Sequence, residues 1–208
     1  MITRLFRPAA IRLACLWAGL ALAVCPAARA TSVVSPTFDH LVTHADYIVH
    51  AVVTGVSSEV ISDSSGRHII THVALSVKRV ISGQPPQPLV LETLGGKVGD
   101  EEMVVTGAPT FAVGDEDILF VRGNGRQFSP LVALMHGRYP VQHDLQGHDY
   151  VTRSNGAPLY DTSEVSLPMG SASPLRAANA TALPLSVSDF IGRIQNSLTQ
   201  NSRGTLQN

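Results

Sequence analysis

Hydrophobic and polar positions alternate along most of this 208-residue chain, with two stretches of helical period near its ends. Phe38, Leu41, Val42 and Ala45 recur at i, i+3, i+4 and i+7, which predicts one apolar face of a short helix. Ser35 as N-cap, Pro36 at the first helical position and Asp39 in the first turn mark its start. His40 and His44 then fall on the opposite, solvent-facing side. Tyr47 to Val56 reads as a strand, with Tyr47, Val49, Ala51 and Val53 on an apolar face and Ile48, His50, Val52 and Thr54 on a mixed one. Asp63-Ser64-Ser65-Gly66 is a turn, and Ile69 to Val77 returns as the second arm of a hairpin.

Further strands follow in short pieces. Prolines 85, 86 and 88 cannot donate to a ladder and break the pattern. Leu89 to Leu94 is a third strand ended by Gly95-Gly96. Met103 to Thr106 is a short fourth and Ile118 to Val121 a wholly apolar fifth. Asn124-Gly125 turns the chain into Gln127 to Ala133, and pieces at Arg138 to Val141 and Asp149 to Thr152 complete a mainly β core spanning residues 31–152. Residues 153–184 are rich in Ser, Ala and Pro without periodicity and read as loop or linker. In the last segment, 185–208, Ser186 and Asp189 form a capping-box start. Val187, Phe190, Ile191, Ile194 and Leu198 share the apolar face of this terminal helix, and the polar tail after Gln200 is expected to fray.

Residues 1–30 fit none of this and read as a signal peptide: Arg4, Arg7 and Arg12, then the apolar run Leu13 to Val24, then Ala28-Arg29-Ala30 as a small-x-small cleavage site. A run of that length falls short of the ~20 residues that span a bilayer. A lipoprotein reading would use Cys25, but Val24 before it is a poor match. Cleavage after Ala30 changes the composition, because both cysteines, Cys15 and Cys25, and the single Trp17 leave with the signal. The mature chain then enters a periplasmic or extracellular compartment without disulfide, cysteine metal site or thiol nucleophile. Loss of Arg4, Arg7, Arg12 and Arg29 leaves 11 basic against 16 acidic residues, a balance of −5. That sign argues against nucleic acid and anionic lipid as partners.

Candidate chemistry is sparse. His40 and His44 are weak metal-ligand candidates, because a zincin helix carries a glutamate between its histidines and here the run is His-Leu-Val-Thr-His. His68 and His72, four apart on a strand, sit roughly 13 Å apart along one face. His50 and His72 are candidate cross-strand neighbours. Asp100-Glu101-Glu102 and Asp115-Glu116-Asp117 are acidic turns without the EF-hand spacing. No Gly-x-Ser-x-Gly or Ser-x-x-Lys is present, and Thr31 would be an N-terminal nucleophile only in an unusual setting. No cofactor is implied. The reading is of an exported, non-catalytic protein-binding module of the cell envelope or medium, with an envelope protein as one candidate partner. A metal-dependent hydrolase using His40, His44, His50 or His72 is the enzymatic alternative.

Residues 31 to about 135 also resemble the netrin-like module of the tissue inhibitors of metalloproteinases, a five-stranded OB barrel. The resemblance rests on Ser35-Pro36, on Ala45-Asp46-Tyr47-Ile48-Val49-His50-Ala51 entering the first strand, and on Val77 to Gly83 closing the second. It continues with an apolar third strand and the Gly-x-x-x-x-Leu-Phe-Val run from Gly114. The same cysteine-free layout resembles a group of uncharacterised exported bacterial proteins. The resemblance implies an OB-like, netrin-like barrel and an inhibitor of an exported zinc metalloprotease. In that family the free amine and first carbonyl of the mature chain chelate the catalytic zinc. The matching position is Thr31, with Ser32, Val33, Val34 and Ser35 as the inserted ridge. Where the family has a disulfide-bonded cysteine this chain has Thr31, so only backbone chelation carries over.

Overall fold

The computed structural model describes residues 35–64 and 66–205. The signal segment with Ala28 and Ala30, and the candidate residues Thr31, Ser32, Val33 and Val34, lie outside them. The fold is mainly β. An antiparallel sheet of 6 strands runs in the order β3-β2-β1-β6-β7-β8, and a separate ribbon pairs β4 with β5. The strands are β1 Tyr47–Asp63, β2 Gly66–Gly83, β3 Leu89–Leu94, β4 Gly96–Val98, β5 Glu101–Met103, β6 Glu116–Val121, β7 Arg138–His143 and β8 Asp149–Val151. Among the described residues three α-helices accompany them: α1 Phe38–His44, α2 Pro174–Ala178 and α3 Val187–Thr205.

β1 is the spine. It pairs with β2 along its whole length and with β6 from Tyr47 to Val52. Register shifts between Ile48 and Val49, His50 and Ala51, and Val53 and Gly55 bend it; such bulges increase local twist and curl a sheet. Both hairpin arms run further than the apolar pattern predicts. Ser57 to Asp63 and Gly66 to His68 are polar or half-exposed strand beyond the buried core.

The alternation of β1 and β6 has two cores behind it. Val49, Ala51, Val53, Leu119 and Val121 join Val73, Leu75, Leu89, Leu91 and Leu131 inside the curled sheet. Ile48, Ile118 and Phe120 point the other way, where Tyr139, Val141 and Val151 continue the outer face and α1 and α3 cover it. Phe190 of α3 is fully buried there and its ring lies 4.9 Å from Tyr139 and 6.3 Å from Phe120. A sheet covered on both faces explains why β6 reads as uninterrupted apolar sequence.

The ladder itself does not close into the expected five-stranded barrel. Between β3 and β6 a single backbone bond, Leu94 N–H to Phe128 O at 2.8 Å, stands where a paired strand would lie. The Asn124 side chain extends it, accepting from Glu92 N at 2.9 Å and donating to Val90 O at 2.7 Å. The expected strand Gln127 to Ala133 shrinks to an antiparallel bridge of Leu131 with Val121, flanked by Arg122 N–H to Pro130 O and Val132 N–H to Phe120 O. Residues 133–137 are looped out, with Ala133 and Leu134 at φ 52° and 58°, and the chain rejoins β6 as β7. Leu131 and Arg138 thus belong to one return strand with an insertion, and the insertion interrupts the pattern.

Two more expectations are displaced. Helix α1 starts after Thr37, whose hydroxyl accepts from His40 N at 3.1 Å; Ser35 is not its cap. Thr37 stands two residues ahead of the Asp39 that enters the first turn, while Pro36 is buried ahead of the cap. α3 runs on to Thr205, past the point where fraying was expected. The stretch 153–184 is mostly irregular, yet Leu159 and Val165 are buried in the outer core. Bonds from Leu159 N to Val151 O and from Leu185 N to Leu159 O stitch it to β8, so it packs as part of the domain.

Candidate functional site

The mouth of the curled sheet is where structure and polarity converge. Inside it, apolar rows give way to hydroxyls: Ser58 of β1 faces Thr71 of β2, and Thr71 faces Thr93 of β3, in register across three strands. Ser58 Oγ and Thr71 Oγ1 are 2.8 Å apart, and Thr71 donates to Gly95 O at 2.6 Å. Thr93 is 5 % exposed and its hydroxyl has no partner. A buried hydroxyl without a hydrogen bond costs about 1–3 kcal/mol, so this row is polarity that packing alone does not call for.

Above the row the β4–β5 ribbon folds over as a flap. Its entry requires glycine: at Gly96, φ +135°, an added Cβ would lie 2.2 Å from Thr71 Oγ1 and 2.7 Å from Ser58 Oγ. Between flap, sheet and the strand-free run 104–111 lies a cavity of about 370 Å³, lined among others by Val56, Leu94, Met103, Val105 and Phe111. Val104 on its rim is 79 % exposed. Beside it, β1 pairs only with β2 from Thr54 onward among the described residues, which leaves a free strand edge next to an apolar groove.

One cation fixes the groove's far wall. Arg138 donates from Nε to Asp117 Oδ1 at 2.8 Å, from Nη2 to Asp115 Oδ2 at 2.7 Å and from Nη1 to Thr110 O. Its guanidinium carbon sits 4.5 Å from the centroid of the Phe111 ring. Asp117 is wholly buried, and burial pushes its carboxyl above the usual range despite Arg138. Next to it, Glu116 Oε1 meets His50 Nε2 and Lys78 Nζ, each at 2.7 Å. Burial works against the Glu116 carboxylate, but these two donors outweigh it and hold its pKa below the ordinary value. The acidic run Asp115 to Asp117 is therefore committed to Arg138, Lys78 and His50.

The other histidine candidates are scattered. His40 and His44 stack at 3.8 Å on the exposed face of α1, and His44 Nδ1 lies 3.0 Å from His40 O. Burial, then the neighbouring His44, lowers the His40 pKa. His50 faces Arg79 across the hairpin, whereas His72 faces Ser57; the proposed His50–His72 pair does not form, because a hairpin tip that pairs Asp63 with Gly66 sets His72 opposite Ser57, much nearer the turn than His50. His72 and Glu59 are 2.8 Å apart, and His68 lies 3.7 Å from Asp63. Glu101 in the flap pairs with Arg67 at 2.7 Å. Among the described residues no three His, Cys, Asp or Glu side chains are grouped to hold a metal ion.

Of the candidate ridge, only Ser35 is described; its hydroxyl reaches Leu167 O at 3.4 Å, and Pro36 after it is buried. Sequence reasoning missed the Ser58–Thr71–Thr93 row and Arg138. The row was legible only in principle, as three hydroxyls interrupting inward positions, since register decides that they meet. No family model matches the chain, and no curated protein matches it significantly. No helix among the described residues is long and apolar enough to cross a membrane.

Proposed function

We propose that the chain is an exported, non-catalytic protein-binding module built on an OB-like, netrin-like barrel, and that it receives its partner at the sheet mouth. The observation that carries this reading is the apolar groove bordered by exposed Val104 and by the free edge of β1. An extended segment adding to that edge gains main-chain hydrogen bonds and places alternate side chains in the groove. The OB-like reading is supported by the curled β1, the β1-β2-β3 meander and the return of β6 onto β1. Residues 128–132 and Asn124 stand where the fifth strand would close it. A photo-crosslinker at Val104 of the mature protein, incubated with the exported fraction, tests the reading. A discrete adduct that Val104→Glu competitor fails to suppress, and wild type does suppress, supports it.

Ser35 gives a second reading its footing. The resemblance assigns Thr31 to Ser35 to a zinc metalloprotease, and the anchoring of Ser35 and Pro36 fixes the point from which that ridge departs. Ordering the remaining residues on binding would cost roughly 1–2 kcal/mol each. One residue added before Thr31 abolishes inhibition of a partner protease if the free terminus chelates zinc. Unchanged inhibition removes this mechanism.

A further inference from the structure

Segment 153–177 encloses a second cavity, of about 330 Å³, away from the groove-lining residues. Ala157, Pro158 and Ala177 supply apolar wall, and Arg153, Glu164 and Arg176 are its charged members. Arg153 is unusual among these. It is only 4 % exposed, and its guanidinium donates to Leu167 O and, at 3.3 Å, to Pro168 O. Both acceptors are neutral, and among the described residues no carboxylate lies within ion-pair distance of it. The nearby Glu164 is already engaged, accepting from Tyr160 N at 3.0 Å through Oε2 and from the Ser173 hydroxyl through Oε1.

A cation removed from water, hydrogen-bonded only to carbonyls and reached by Glu164 only through space, retains a preference for an anion. Guanidinium presents five donors in a planar fork that matches carboxylate geometry, and two carbonyls leave part of that fork free. Arg153 and Arg176 against Glu164 leave one net positive charge on the wall, which suits a monoanion and repels nothing of that charge. The volume lies at the lower end of small-molecule sites, about 300–1,000 Å³. We propose that this cavity binds a small monocarboxylate with a short apolar tail. Its head sits on Arg153, and its tail runs along Ala157, Pro158 and Ala177. This site is independent of the mouth groove and of any protein partner there.

Hexanoate, hexanol and acetate titrated calorimetrically into the full mature chain form the test. Hexanoate is expected to bind saturably, with hexanol and acetate each weaker by roughly tenfold or more, since each lacks one half of the recognised group. Arg153→Gln is expected to remove the preference for hexanoate over hexanol. Because Arg153 also holds the Leu167–Pro168 turn, the deciding variant is Ala177→Leu, at an exposed position of α2. It narrows the cavity from an exposed position and is expected to weaken hexanoate while leaving the melting temperature unchanged. Equal binding of hexanol, no saturable binding of hexanoate at millimolar concentration, or full binding by a folded Ala177→Leu protein would each overturn the proposal.

Discussion

Arg138 shows how one side chain settles the geometry of a whole wall. It stitches Asp117 on β6, Asp115 at its entrance and the Thr110 carbonyl into one unit, with Phe111 stacked on its face. Arg138→Met strands the fully buried Asp117 and should cost about 3–5 kcal/mol, read as a lower denaturant midpoint. Adding Asp117→Leu to that variant should recover much of the loss, because the pair is then replaced and not broken. Glu116 gives the pH-dependent counterpart. Its folded pKa is depressed, so its contribution is present above the ordinary glutamate value and is lost as pH falls through the lower folded value. Glu116→Gln should therefore cost about 1–2 kcal/mol at neutral pH and nothing once both forms are protonated. Neither hub was legible in the sequence. Asp115-Glu116-Asp117 read only as an acidic turn without EF-hand spacing, because the side chains that engage it, Arg138, Lys78 and His50, come from three other strands.

Among the elements, those with a strong period were the ones sequence could place. The apolar stripe Val187, Phe190, Ile191, Ile194 is the buried face of α3, and Ser186 does cap it, accepting from Asp189 N at 3.0 Å. Phe190→Ala should cost about 3–5 kcal/mol, and deletion of 185–208 should leave an insoluble chain, measured by expression and thermal melting. Elements specified by partners were less legible. The β4 strand, Gly96-Lys97-Val98, carries little pattern, and its place is dictated by Gly96 passing close over Thr71 and Ser58 and by Gly95 O accepting from the Thr71 hydroxyl. Gly96→Ala should displace the flap and cost on the order of 1–3 kcal/mol, since both its φ and its contacts exclude a Cβ. The return strand was legible only in halves, as the looped-out residues 133–137 hide its continuity.

For the whole molecule, the described residues contain no cysteine and hold their shape by burial and hydrogen bonds. They do so by covering the curled sheet on both faces, one core inside and one under the helices. That arrangement leaves an accessible apolar groove at the mouth beside the free β1 edge. On the proposed function, a partner protein docks at this mouth. The direct measurement is site-specific photo-crosslinking of the mature protein in the exported fraction, with the probe at Val104 or, as control, at Leu145, fully exposed in the turn between β7 and β8. One discrete adduct is expected from Val104, suppressed by excess wild-type protein and not by Val104→Glu, and none from Leu145. Absence of an adduct at Val104, or the same adducts from both positions, would contradict it.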